Sequence, residues 1–274
     1  MKLPVSPPLD PVRASFQTHL NYAKRLDLLL TGCEASITPA GAVRIHKPSI
    51  ERFAKLHKLT RKSIEKDIEL AREDPAFAVI AAPWFPVKCY YALYYLESIL
   101  THFIDGTLIG FTRGGHKGIR TKMATHLGNG MVVFNSPDLN RVPSLQEVQA
   151  LPAIISGRNA RAGFWRETEC TDCVLKKMTE YRLHDAKADG KWDLRTIAGR
   201  AKRDEFTTGK QIACLDFFYW YRIKANYRDL DYIDFENGIA AAEVLEYVEA
   251  FYSAYARYRE LLIAQIERVG RRSG

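Results

Sequence analysis

The sequence is poor in cysteine, the residue whose disulfides stabilise small secreted folds. It has only 5 cysteines in 274 residues, and an odd number of thiols cannot all pair within one chain. Cys33, Cys89 and Cys214 lie in apolar or helix-like stretches, which predicts reduced, buried thiols of the kind found in the cytosol. A chain of this length also buries enough apolar surface without cross-links. These features exclude a disulfide-stapled scaffold.

Long uninterrupted hydrophobic runs are also missing. The most apolar stretch, residues 84–104, contains Lys88, Glu97 and His102. Each charge at a bilayer centre would cost roughly 2.5–3.5 kcal/mol, so we expect a buried helix here and no membrane association. The first residues, 1–12, are rich in proline and have no apolar core, so no secretory signal is expected. A cytoplasmic location follows as the expectation.

Signature motifs of several enzyme classes are absent. There is no Rossmann fingerprint, Walker loop, nucleophile elbow, HExxH helix or protein-kinase set. Cys170 and Cys173 form a CxxC pair, but no second pair follows, and the nearest further ligands are His184 and Cys214. This spacing leaves zinc binding by the pair open. We predict no metal centre and no cofactor.

What the sequence has in excess is positive charge. Lysine and arginine number 40 against 32 acidic residues, giving a formal net charge of +8. A surplus of this size is compatible with a polyanionic partner, and it also promotes solubility without any partner. The 47% hydrophobic and 26% charged content is that of an ordinary globular chain and excludes a wholly disordered one.

Apolar residues recur at helical spacing over much of the chain. After the proline-rich arm 1–12, helices are predicted over residues 13–30, 48–74, 87–105 and 244–269. The third is apolar almost all round, so we expect it at the centre of a bundle. The outer face of the second carries basic side chains: Lys55, Lys58, Arg61, Lys62 and Lys66.

The segments between these helices are predicted to be shorter and less regular. Residues 36–48 alternate around a turn at 39–41, which predicts a small hairpin. Residues 131–134 are predicted to form a short strand. Residues 106–118 are predicted to be a glycine-punctuated loop, followed by two helical turns over 119–127. The fold class is therefore mostly α.

Basic side chains without an intervening acid cluster around this glycine loop, over residues 113–127. Gly114, Gly115 and Gly118 would let backbone N–H groups approach a phosphate at a helix N-terminus. The segment predicts an anion-binding corner or, equally, a solvated basic turn. Its cationic members are Arg113, His116, Lys117, Arg120 and Lys122.

Three segments of the sequence, taken in their order along the chain, resemble the HEPN superfamily, the higher-eukaryote and prokaryote nucleotide-binding helical domains. They are a tyrosine-rich helix, a His-Lys-Gly segment, and an arginine followed by an Asn-Tyr turn before a long amphipathic helix. The similarity is to a small bacterial branch and covers residues 85–127 and 212–265. The matched residues are Tyr90, Tyr91, Ala92, Tyr94, Tyr95, His116, Lys117, Gly118, Arg222, Asn226, Tyr227 and Asp229.

The resemblance implies a helical bundle, often dimeric, that binds nucleotides or RNA. Many members are metal-independent endoribonucleases in toxin–antitoxin or antiviral defence systems, and the active ones use an Arg-x4-6-His motif. Arg120 and His126 fit that motif within the matched region. The imidazole would move the proton of the 2′-hydroxyl or leaving group, and the guanidinium would stabilise the phosphorane. Alternatively, His126 caps or packs a helix end.

Together these observations predict an organisation in four parts. Residues 1–80 form an N-terminal arm and helical extension, and 81–127 form the first half of a HEPN-like bundle. Residues 128–211 are a mixed insertion between the halves, and 212–274 complete the bundle.

The leading functional expectation is an RNA-directed protein, either an endoribonuclease or a toxin. Phosphate would be held by Arg113, His116, Lys117, Lys122 and Arg222. A second copy of the chain and an operon-encoded protein are the expected protein partners. The first alternative is a non-catalytic nucleic-acid- or nucleotide-binding subunit of a defence or mobile-element complex. The second is a helical protein–protein adaptor.

Two further choices stay open from the sequence. Arg222 either contacts substrate or forms a structural ion pair with Asp229 or Asp231. The aromatic residues near it either stack on bases or belong to the core. They are Tyr219, Trp220, Tyr221 and Tyr227.

Overall fold

The computed structural model describes residues 11–108, 115–136, 192–208, 214–227 and 238–271, with Leu139 and Lys187. Over these residues the chain forms eight helices and one two-stranded sheet. The prediction of a mostly α-helical protein is therefore confirmed.

The helices and strands follow one another along the chain with these bounds. They are α1 (Pro11–Leu30), β1 (Ala35–Ile37), α2 (Lys47–Glu73), α3 (Pro75–Ala81), α4 (Phe85–Asp105), α5 (Gly115–Gly128), β2 (Val132–Phe134), α6 (Ile197–Thr208), α7 (Cys214–Tyr227) and α8 (Ala241–Gly270). The four helices predicted from apolar periodicity are confirmed as α1, α2, α4 and α8.

Helix α4 lies at the centre of the bundle, as its apolar circumference predicts. It packs against α2, α5, α7 and α8, and Ala92, Leu93 and Ile104 are completely buried. Each large apolar side chain removed from water contributes roughly 1.5–3 kcal/mol. The helix ends at Gly106, whose positive φ of 75° allows the left-handed turn that stops it.

Helix α8 contacts α1, α2, α3, α4 and β1. Its buried stripe repeats every three or four residues and includes Val244, Val248, Phe251, Tyr255, Tyr258 and Leu262. Ion pairs at the edge, such as Lys24 with Glu246, are exposed and contribute at most about 1 kcal/mol each. The apolar stripe therefore provides most of the stabilisation along α8.

The hairpin predicted within residues 36–48 is wrong. Strand β1 pairs antiparallel with β2, and Ser36 faces Val133. Each strand buries its first and last residue and exposes the middle one, so both fit one side of the bundle. The strand predicted over residues 131–134 is confirmed, but its partner is remote in sequence.

The predicted glycine loop over residues 106–118 is shorter than expected. Helix α5 begins at Gly115, so Gly115 and Gly118 belong to the helix and do not form a turn before it. Arg113 and Gly114 lie outside the described residues. Only the extent of the loop is therefore corrected: Gly115 lies at the N-terminus of α5, and phosphate binding at that helix end stays a prediction.

Several other predictions fall on residues that the structure does not describe. These are most of the insertion 128–211, the Cys170–Cys173 pair, and the acids Asp229 and Asp231. Cys33, Cys89 and Cys214 are free thiols, and the last two are buried.

Among the described helices, none alone is long and apolar enough to span a membrane. The helices α3 and α4 meet that criterion only as a pair, and they are bent by 63° relative to each other.

Candidate functional site

Side chains from α4 and α5 meet around His116. The Tyr90 hydroxyl lies 2.9 Å from His116 Nδ1. The centroid of the imidazole lies 4.4 Å from that of Tyr94 and 5.4 Å from that of Tyr91. The tyrosine-rich helix and the His-Lys-Gly segment, which are separate in sequence, therefore form one aromatic cluster.

Arg222 of α7 completes this cluster. Its guanidinium carbon lies 5.4 Å from the ring centroids of Tyr90 and Tyr91 and 5.6 Å from that of Tyr219. Its Nη2 donates to the Tyr91 hydroxyl at 3.4 Å. These distances are within the range of cation–π attraction. Aromatic rings therefore hold Arg222, and the acids proposed from sequence as its partners lie outside the described residues.

His116 does not supply the positive charge expected of it. Burial, together with the positive charges of Arg222 and Arg120, lowers the pKa of His116 to about 4. The imidazole is consequently neutral at physiological pH. It acts here as a polar, hydrogen-bonded member of an aromatic cluster.

Arg120 lies in the interior of the bundle, with 3% of its surface exposed. Its Nε donates to Asp216 Oδ1 at 2.6 Å, and its guanidinium carbon sits 3.6 Å above the Tyr219 ring. Burial alone would lower the pKa of Arg120, but the attraction of the Asp216 carboxylate is larger, so the pKa of Arg120 is raised. Arg120 thus links α5 to α7 as a buried, charged tether.

His126 is also buried, with 2% of its surface exposed, near the C-terminal end of α4. Its Nε2 lies 3.4 Å from Asp105 Oδ2, but neither ring nitrogen has hydrogen-bond geometry to a partner within the described chain. Burial lowers the pKa of His126, although Asp105 opposes this shift. The geometry favours the packing role over a proton-transfer role.

Arg120 and His126 share helix α5 but not a face of it. Six residues of α-helix separate two side chains by about 120° around the axis and about 9 Å along it. Arg120 contacts α7, whereas His126 faces α4. The structure therefore does not bring the proposed catalytic pair together within one chain.

The remaining predicted phosphate contacts differ in availability. Lys122 Nζ lies 2.8 Å from Asp105 Oδ2, so its charge is offset. Burial alone would raise the pKa of Asp105, but the hydrogen bond from Lys122 leaves it lowered. Lys117 is exposed, and Arg113 lies outside the described residues.

Glu97 is a buried acid that no sequence motif indicates as part of a site. Tyr258 donates to its Oε1 at 2.5 Å, while Oε2 has no hydrogen-bond partner among the described residues. Burial raises the pKa of Glu97 to about 8, and the nearby charge of Asp216 adds to the shift. Glu97 is therefore mostly protonated at neutral pH.

The outer face of α2 carries a row of positive charge. Lys55, Lys58 and Lys62 are exposed at helical spacing, and within the described part of the chain none of them forms an ion pair. The neighbouring Arg61 and Lys66, by contrast, pair with acids of the same helix. We call Lys55, Lys58 and Lys62 the lysine row.

An open groove of about 440 Å³ runs between α2 and α4. Lys88 in its wall donates to Asp67 Oδ2 at 2.5 Å, which offsets the charge of both groups. The groove is lined by Leu59, Thr60, Ser63, Val87, Lys88, Tyr91 and Tyr95. We call it the α2–α4 groove.

Comparisons with known proteins give no relative for this chain. The sequence matches no known protein family, and neither curated proteins nor solved structures contain a significant match. The described residues define a mostly α-helical protein with an aromatic cluster around His116, a lysine row on α2 without ion pairs among those residues, and a groove between α2 and α4.

Proposed function

We propose that this protein binds nucleic acid without cleaving it, and that the lysine row of α2 contacts the phosphate backbone. The supporting observation is that Lys55, Lys58 and Lys62 are exposed on one helix face without an acidic partner in the described chain. Lysines placed this way replace the counterions of a polyanion, and the released counterions drive association. The net charge of +8 acts in the same direction.

The length of the row suits a nucleic-acid strand. Seven residues of α-helix extend about 10 Å, the rise from Lys55 to Lys62. Phosphates of one strand recur about every 3.4 Å along a duplex axis, so the row can face about three of them. Three ammonium groups for about three phosphates is a matched arrangement.

Binding is favoured over cleavage because the proposed catalytic side chains are engaged in the core. Arg120 is committed to Asp216, and His126 is buried against α4. Neither is open to a scissile phosphate. In this proposal the protein is a HEPN-like bundle that serves as an RNA-binding subunit of a larger assembly.

Fluorescence anisotropy with a labelled 20-nucleotide RNA, over a series of salt concentrations, tests the proposal. The triple variant Lys55→Gln/Lys58→Gln/Lys62→Gln should weaken binding and reduce the slope of log K against log salt by about 2, since each phosphate contact on a single strand contributes about 0.7. The full-length protein should leave the RNA intact on a denaturing gel.

A charge-matched control uses three cations that are already paired. Lys24, Lys66 and Arg72 form ion pairs with acids, so replacing all three by Gln removes equal charge without touching the lysine row. This control should change affinity less than twofold. Equal losses in both triples, absence of RNA binding, or RNA cleavage that disappears in His126→Ala would each overturn the proposal.

A further inference from the structure

We propose that the α2–α4 groove is a base-binding site for single-stranded nucleic acid, in which Tyr91 and Tyr95 stack on bases beside the lysine row. This inference rests on the proposed function and specifies its ligand. The lysine row alone would serve any polyanion, whereas the groove selects a strand whose bases are unpaired.

The four tyrosines of α4 divide into an inner and an outer pair. Tyr90 and Tyr94 are buried, while Tyr91 and Tyr95 are partly exposed and line the groove. The outer rings lie one helical turn apart, with centroids separated by 6.4 Å and planes inclined by 34°. Residues at i and i+4 share a helix face, so the outer rings form one continuous surface.

Both outer rings are held in place from behind. Phe53 meets Tyr95 edge-on, with centroids 5.3 Å apart, and His116 meets Tyr91 edge-on at 5.4 Å. Arg222 adds a hydrogen bond to the Tyr91 hydroxyl. Rings that are already fixed lose little conformational entropy when a base stacks on them.

The charges around the groove favour a nucleic acid over an apolar peptide. Leu59, which is 56% exposed, lines the groove and lies one helical turn from both Lys55 and Lys62 on α2, so these two lysines neighbour it on the helix surface. Lys88 of the lining forms an ion pair with Asp67, which offsets the charge of that acid. A ligand seated here therefore meets apolar and aromatic surface beside lysines that have no ion pair in the described part of the chain, which is the combination that binds bases and phosphates together.

A duplex does not fit this arrangement, because its bases are stacked on one another and present no free face to a tyrosine. Single strands expose those faces, and every base has one, so stacking predicts little sequence preference. The hydroxyls of Thr60 and Ser63 in the groove wall are available for base edges or sugars.

The test uses the full-length protein and a 20-nucleotide RNA carrying one central 2-aminopurine, free or annealed to its complement. Anisotropy gives the affinity, and 2-aminopurine fluorescence falls when the base stacks. We expect the single strand to bind at least about tenfold more tightly than the duplex and its fluorescence to fall. Tyr91→Leu and Tyr95→Leu should each weaken binding about tenfold and reduce the quenching.

Two kinds of control separate stacking from unfolding. Tyr91→Phe and Tyr95→Phe keep the stacking rings and should bind RNA several-fold more tightly than the matching Leu variants. Trp84→Leu removes an aromatic side chain that is 59% exposed but does not line the groove, and it should leave binding unchanged. Circular dichroism melts confirm that each variant is folded.

The outcomes distinguish this inference from the proposed function. RNA binding that depends on the lysine row but not on Tyr91 and Tyr95, or equal affinity for single strand and duplex, would overturn the groove inference alone. Loss of affinity in the Phe variants as large as in the Leu variants would also overturn it. If neither the single strand nor the duplex binds, both the proposed function and the groove inference are overturned. Binding of an apolar peptide in the groove, with no binding of RNA, would also overturn both.

Discussion

The Nε of Arg120 donates a 2.6 Å hydrogen bond to Asp216, and both side chains are almost wholly buried. This pair joins α5 to α7 beside the aromatic ring of Tyr219. An arginine that fits a catalytic motif by spacing is therefore an internal tether in the folded chain. The consequence is that changes at Arg120 act on stability before they act on any ligand.

Replacing Arg120 by Met should destabilise the fold strongly. Removing one partner of a buried ion pair leaves the other charge uncompensated and costs about 3–5 kcal/mol. The double variant Arg120→Met/Asp216→Leu should recover much of this loss, because no buried charge remains. Urea unfolding followed by circular dichroism measures the free energy of unfolding of each protein.

Lys117→Met serves as the control for that experiment, because Lys117 is exposed on the same helix. Its free energy of unfolding should stay within about 0.5 kcal/mol of the wild type. A loss at Arg120 no larger than the loss at Lys117 would contradict the tether role.

Glu97 should make the protein less stable as pH rises. Its pKa in the folded state is raised to about 8 from an ordinary value of 4.5. The folded state holds a proton that the unfolded state releases, so the stabilisation is complete below pH 4.5 and is lost as pH rises through 8. Glu97→Gln, which stays neutral, should flatten this dependence and gain stability relative to wild type above pH 8.

Urea midpoints at pH 5, 7 and 9 check this prediction. Glu249→Gln, which removes an exposed acid paired with Arg72, is the matched control and should keep the wild-type slope. If the wild type and Glu97→Gln lose stability in parallel from pH 5 to 9, then Glu97 does not hold a proton in the folded state.

His116 should make the protein less stable as pH falls, which is the opposite of the effect of Glu97. Its pKa is lowered to about 4 from an ordinary value of 6.5. The unfolded state therefore takes up a proton first, and the stability present above pH 6.5 is lost as pH falls through 4. Proton NMR of the imidazole across this range should give a midpoint near 4, assigned by its disappearance in His116→Gln. A midpoint at 6.5 or higher would mean that the imidazole is not enclosed by the tyrosines.

The sequence predicted the long helices well because their burial follows a local period. The apolar circumference of α4 and the stripe of α8 specify what each helix needs to pack against. The lysine row was visible for the same reason, since Lys55, Lys58 and Lys62 share a face of one predicted helix.

Contacts between distant residues were not predictable in this way. Apolar and polar residues alternate over 36–48 as they would in a hairpin. Ser36 nevertheless pairs with Val133, which lies about a hundred residues away in the sequence. Asp216 gave no local sign that it would accept a hydrogen bond from Arg120. The neutral state of His116 depends on burial among tyrosines of α4, which spacing alone does not reveal.

The α2–α4 groove could be predicted from the sequence only in part. The spacing of Tyr91 and Tyr95 on α4 is a property of the sequence, but their partial exposure and the bracing by Phe53 depend on how α2 packs against α4. Membership of the HEPN superfamily stays a prediction. The two segments that carry the resemblance do pack together, through α4 with α7 and α4 with α8.

Photo-crosslinking of the full-length protein to a single-stranded RNA containing 4-thiouridine, followed by mass spectrometry of the linked peptides, tests the central claim most directly. We expect cross-links within residues 55–63 of α2 and residues 88–95 of α4, and we expect them to be lost when the lysine row is neutralised. Cross-links confined to other helices, or none at concentrations where anisotropy shows binding, would contradict it.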